Sequence, residues 1–154
     1  MKARHPWLVA AGMLSGLASV LHLAVIAGGP DWYRFFGAGE QMARMAERRS
    51  PTPALITLAI ALILALWSAY AFAGAGFIRR LPLMRTALLA ITAIYLLRGL
   101  VLFPALAIKP EAVDRFTWWS SLIVLAYGSV YAIGTWRAWP ALSAKPPQPA
   151  ARAE

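Results

Sequence analysis

A chain of 154 residues, 60% hydrophobic and only 14% charged, is long enough for one domain but too poor in charge for a water-soluble one, where about 25% is usual. It contains no cysteine, which excludes a disulfide scaffold, a Cys-ligated metal site and thiol catalysis. Its net charge of +9 would raise nucleic acid as a partner of a soluble protein. Here the basic residues sit mostly at the ends of apolar runs, where they set topology and meet membrane lipids, so no nucleic-acid partner is expected.

The first apolar run, Trp7 to Gly28, is long enough to span a bilayer. Lys2 and Arg4 before it, and Val25-Ile26-Ala27 at its end, also fit a cleaved signal peptide. The run is longer than the usual apolar region of such a peptide and carries His22, which favours a span. Gly12, Ser15, Gly16, Ser19 and His22 share one helical face, a seam that lets another helix approach closely.

Gly29 to Thr52 follows as a polar and aromatic connector. Asp31 after Pro30 suits an N-cap, and Glu40–Arg44 is an i, i+4 pair. Trp32, Phe35, Phe36, Met42, Met45 and Ala46 recur at helical spacing, so an amphipathic helix in the membrane interface is expected at about 31–48, with a possible break at Gly37-Ala38-Gly39. A lid that carries Asp31 and Glu40 over a pocket between the helices is the other reading.

The second span is expected at about 53–78, opened by Pro51 and Pro53 and stopped by Arg79 and Arg80. Ala61, Ala65, Ser68, Ala69 and Gly76 form its face of small residues. After a turn at Leu81-Pro82 the third span runs over about 83–108, with Arg98 in its middle and a kink expected from Pro104. The fourth, about 116–139, carries Ser121, Gly128, Ala132 and Thr135 on one face, flanked by Tyr127 and Tyr131. Most tryptophans fall near span ends, as in an aromatic belt. Together these elements predict an all-α integral membrane four-helix bundle, a single domain over 1–139, with a disordered cytoplasmic tail over 140–154.

The short loop around Arg79, Arg80 and Arg85 favours cytoplasmic termini. Asp31, Glu40, Glu47, Glu111 and Asp114 then fall outside. His22 and Arg98 each lie ~22 Å from the cytoplasmic start of their spans, so the two share a level in the outer half of the bilayer. An intramembrane charge is expensive and usually faces the protein interior or a wet cavity. No span holds a carboxylate, so the counter-ion expected for Arg98 is Asp31, Glu40 or an anionic ligand, with Tyr95 one turn away.

Two functions follow from these residues. In the first, the protein has an accessory or interaction role, packing against itself or a membrane-protein partner through its small-residue seams, with Arg98 as a strut. In the second, Arg98, His22, Asp31, Glu40 and Tyr95 bind a lipid-like or anionic ligand, with or without chemistry. An Arg98 facing lipid would contradict both. No catalytic residues, cofactor or metal are expected. There is no nucleotide-binding, nucleophile-elbow or zinc-protease motif, and His5 and His22 lie at opposite membrane faces. Four-span glutathione-using membrane enzymes are similar in length, but the polar residues of their second span have no match in 53–78.

The segments LHLAVIAGGPDWYRFFGAGE and YLLRGL resemble parts of small four-span inner-membrane proteins of proteobacteria. The resemblance covers most of the chain. It implies a bacterial inner-membrane location and a four-span fold, and it implies no activity.

Overall fold

A computed structural model describes residues 5–143. The fold is all-α, with six α-helices: α1 (Pro6–Phe35), α2 (Glu40–Glu47), α3 (Thr52–Ala75), α4 (Met84–Leu100), α5 (Leu102–Ile108) and α6 (Arg115–Ser143). A 3-10 turn, Pro110–Ala112, joins α5 to α6. Four stretches are long and apolar enough to cross a membrane: Pro6–Phe35, Thr52–Ala75, Met84–Ile108 and Arg115–Leu142. This is a multi-pass membrane protein by the length and composition of its helices.

Each boundary has a local cause. Pro6 opens α1 at a position where its missing N–H is not needed. The long first helix breaks at Gly29, whose φ of 71° only glycine adopts easily, just before Pro30 removes a helical donor. The first span therefore ends close to Gly28, and the chain turns into a separate short segment up to Phe35. Helix α3 stops at Ala75 rather than near 78. Gly76 takes the left-handed conformation, with Gly76 N donating to the Ala73 carbonyl and Phe77 N to that of Phe72. The third span is interrupted at Val101, three residues ahead of Pro104, as the proline requires. Asp114 caps α6, its Oδ1 accepting the Thr117 N–H at 2.7 Å.

The expected interfacial helix at about 31–48 is not continuous. Gly37 (φ 66°) and Gly39 (φ 95°) split it, leaving the end of α1 and the short α2. The split also changes which residues turn inward. Tyr33 and Ala43 are buried against Val25, with Phe36, Met42 and Ala46 packed around them. Trp32 and Phe35, expected on the buried face, are exposed. Their segment belongs to a different helix from Met42–Ala46, so one amphipathic face cannot include both. At its far end the chain also departs from expectation: α6 runs through Pro140 to Ser143. The remainder of the expected tail, 144–154, lies outside the described residues.

Helix α1 packs chiefly on α3, and α4 on α6, and the two antiparallel pairs meet mainly along α1 and α6. Close approach rests on small residues. A Cβ at Gly99 would lie 2.7 Å from Leu125 Cβ, and one at Gly128 would lie 2.8 Å from Leu96 Cδ2, so the α4–α6 pair interlocks at both points. The α1 seam faces α3, where Ser68 donates to the Gly12 carbonyl at 2.7 Å and Ser19 to that of Ala61 at 2.8 Å. On α3 the buried line is Thr57, Ala61, Leu64, Ser68 and Ala71, while Ala65 of the expected small face is exposed.

Candidate functional site

The bundle interior holds a chain of neutral polar groups linking all four spans. Ser15 Oγ lies 3.0 Å from Tyr95 OH and 2.8 Å from Tyr131 OH, and Tyr131 OH donates to the Trp67 carbonyl at 3.1 Å. Each hydroxyl has a single proton, which sets the direction. Tyr131 spends its proton on Trp67, so Ser15 must donate to Tyr131, and Tyr95 must donate to Ser15. The rings support the same arrangement: Tyr95 lies 4.9 Å from Trp67 edge to face and 5.4 Å from Tyr131. Ser15 and Tyr131 are fully buried.

A second network, charged and exposed, organises the connector. Arg34 grips Glu40 with two hydrogen bonds, Nε to Oε2 at 2.9 Å and Nη2 to Oε1 at 3.1 Å. It also reaches Glu47 at 2.6 Å and Asp31 at 3.4 Å. Arg44 adds a bond to Glu40 at 3.1 Å. Arg34 and then Arg44 hold the Glu40 carboxyl far below its ordinary value, at about 2. Hydrogen bonds from Thr117 similarly hold the Asp114 carboxyl below the usual range.

These contacts decide how far the expected ligand site assembles. Asp31 and Glu40 are bound to Arg34, not to Arg98. A bidentate guanidinium six residues away wins over one on another span, because the connector folds on itself across Gly37–Gly39. Arg98 is exposed and does not turn into the bundle; its one hydrogen bond among the described residues runs from Nη1 to Ser121 Oγ at 3.1 Å. His22 is half-buried and bonds within its own helix: Nδ1 donates to the Ala18 carbonyl at 2.7 Å, which leaves Nε2 as the acceptor of the neutral ring. Tyr95 points inward to Ser15. The five expected residues are therefore distributed over three separate places, the connector network, the hydroxyl chain and the bundle surface.

The end of the bundle opposite the connector is cationic. Arg79, Arg80, Arg85 and Arg137 gather where α1 and α4 begin and α3 and α6 end. The Arg85 guanidinium lies 4.6 Å over the Trp139 ring, and that of Arg137 lies 5.6 Å over Trp7. Arg80 donates to the Ala141 carbonyl. Every carboxylate among the described residues (Asp31, Glu40, Glu47, Glu111, Asp114) belongs to the other end. No group of three or more His, Asp or Glu among the described residues is placed to hold a metal.

Three structural features are not evident from local patterns in the chain. Arg34 stood beside Asp31 at i, i+3, but its reach to Glu47 depends on the glycine turn. Tyr131, which completes the hydroxyl chain, stands in the sequence only as a flank of a small-residue face. The pairing of Arg85 with Trp139 joins the start of one span to the end of another, which no local pattern encodes. No protein-family model, curated protein or solved structure matches the chain.

Proposed function

We propose that this protein is an accessory component of a membrane assembly, working by contact with a neighbouring membrane protein rather than by chemistry. The observation that carries this reading is the outward guanidinium of Arg98, which serves neither as an internal strut nor in a pocket with His22; left to lipid it would contradict the accessory role too, so the role requires a neighbouring protein to cover it. It lies beside Ser121, about 9 Å along α6 from Arg115, with one hydroxyl as its partner among the described residues. A guanidinium at this depth is expensive without a counter-ion, and this chain keeps its own carboxylates elsewhere. A second copy has no carboxylate within a span to offer. A different membrane protein with an acidic residue in the outer half of the bilayer supplies the complementary group. On this reading the protein lies in a bacterial inner membrane with both termini cytoplasmic, in keeping with the arginines around the short α3–α4 loop.

The test is gentle extraction from the native membrane followed by native mass spectrometry, with wild type beside Arg98→Gln. The expected result is a defined protein partner on the wild type that falls at least about tenfold in occupancy on a folded Arg98→Gln variant, as loss of a desolvated charge pair predicts. A lipid adduct that depends on Arg98, with no protein partner, would replace this reading with a lipid site. Full retention of the partner by the variant would remove Arg98 from the interface.

A further inference from the structure

The cationic end contains a second feature, independent of Arg98. Between α4 and α6 a cleft of about 360 Å³ opens on the outer surface of the bundle, lined by Leu89, Thr92, Ala132, Thr135, Trp136 and Trp139. The lining follows two helical stripes, 89 and 92 on α4 and 132, 135, 136 and 139 on α6. Its surface is almost wholly apolar, and Trp136 is 80% exposed beside it. Arg85 lies one turn before Leu89 on α4, its guanidinium over Trp139 at the cleft's end.

Two polar groups here lack partners. Thr135 is only 3% exposed and its Oγ1 has no hydrogen bond among the described residues, although it lines the cleft. Arg85 Nε is likewise buried, with no hydrogen-bond partner among the described residues. A buried unpaired polar atom is costly and calls for an explanation. The two levels are separated by the four residues from Thr135 to Trp139, ~6 Å along the helix. In a glycerophospholipid the ester carbonyls lie a few ångströms deeper than the phosphate, and the acyl chains run deeper still.

The geometry points to a specific site for one anionic phospholipid in the α4–α6 cleft, its phosphate on Arg85 and an acyl chain along Leu89, Thr92 and Ala132. Charge complementarity selects the anionic class, since four arginines gather at this end and every described carboxylate lies at the other. A guanidinium held 4.6 Å over the Trp139 ring suits a phosphate better than a mobile ammonium would, because its two terminal nitrogens can both donate to phosphate oxygens. The site goes beyond the accessory role and concerns the opposite end of the bundle.

The experiment is a titration of purified full-length protein in detergent with dioleoylphosphatidylglycerol or dioleoylphosphatidylcholine, read by native mass spectrometry. Wild type is expected to bind one phosphatidylglycerol at least about fivefold more tightly than phosphatidylcholine. Arg85→Gln is expected to weaken phosphatidylglycerol roughly tenfold, the scale of one lost charge-assisted contact, and to abolish the preference. Ala132→Phe, which fills the cleft without touching a charge, is expected to weaken both lipids and keeps the test alive if Arg85→Gln does not fold. Arg48→Gln, at the connector end, removes the same charge and is expected to change neither. Equal wild-type affinity for the two lipids, or binding unaltered by Ala132→Phe, would overturn the site. Displacement of the lipid by millimolar inorganic phosphate would reduce it to an anion site without an acyl groove.

Discussion

Ser15, Tyr95, Tyr131 and the Trp67 carbonyl hold four spans together without a formal charge, whereas Asp31, Arg34, Glu40, Arg44 and Glu47 use five charges to shape one short connector. The difference follows from the solvent at each place. Within the bundle an unpaired charge would be prohibitive, so hydroxyls that can both donate and accept close a chain of bonds with none left over. At the connector, water or headgroups solvate the charges, and each pair adds little on its own; geometry, above all the two-bond grip of Arg34 on Glu40, selects the fold of the loop. The interior network ties elements distant in sequence, and the exposed one ties residues within a single stretch.

The comparison breaks most readily where the spans touch. Gly99→Leu should destabilise the bundle by about 3 kcal/mol, the upper range for overpacking, because Leu125 meets the new side chain with its backbone as well as its Cβ. Thermal unfolding in detergent checks this, and an unchanged midpoint would mean that α4 and α6 are not held at that distance. A smaller effect sharpens the view of the hydroxyl chain. Tyr131→Phe removes the donor to Trp67 and the acceptor for Ser15, and is expected to cost about 1 kcal/mol; Ser15→Ala is expected to cost less in that background than in the wild type, since only the Tyr95 bond then remains to be lost. A double-mutant cycle measures that coupling; strictly additive losses would show that the four groups do not act as one chain.

The smallest effect on stability, and the most local, concerns the connector. The Glu40 carboxyl titrates at about 2, below the ~4.3 of an unfolded glutamate. Its ion pairs therefore support the connector fully above that unfolded value and are lost as pH falls from there through about 2. Carboxyl carbon shifts of labelled Glu40 should follow this curve, and Arg34→Gln should move the midpoint upward, since Arg34 is the largest cause of the shift. A midpoint that stays in place would assign the shift to Arg44 instead. The four spans should remain folded throughout, because the connector network lies outside the bundle interior.

How much of this was legible in the chain depends on the range of the interaction. The four spans, the break near Gly37–Gly39, the interruption ahead of Pro104 and the seam at Gly12, Ser15 and Ser19 all follow from properties of adjacent residues: apolar length, proline's missing donor, glycine's backbone freedom and helical periodicity. The candidate ligand set was not legible in the same way. Arg98 and His22 are expected at one depth, but depth along a helix does not say which way a side chain faces, and the two do not meet.

By itself, then, the sequence determined that the chain is helical, has four segments fit to cross a membrane and carries its carboxylates outside the apolar spans, because bilayer thickness, backbone hydrogen bonding and the cost of burying charge act on every segment separately. Only the tertiary structure decided that Glu40 belongs to Arg34, that Tyr131 completes a hydroxyl chain with Ser15, and that Arg85 lies over Trp139 at the end of an open cleft. Those pairings depend on the rotation of each helix about its axis and on how closely small residues let neighbours approach, quantities that no span possesses until the others are packed against it.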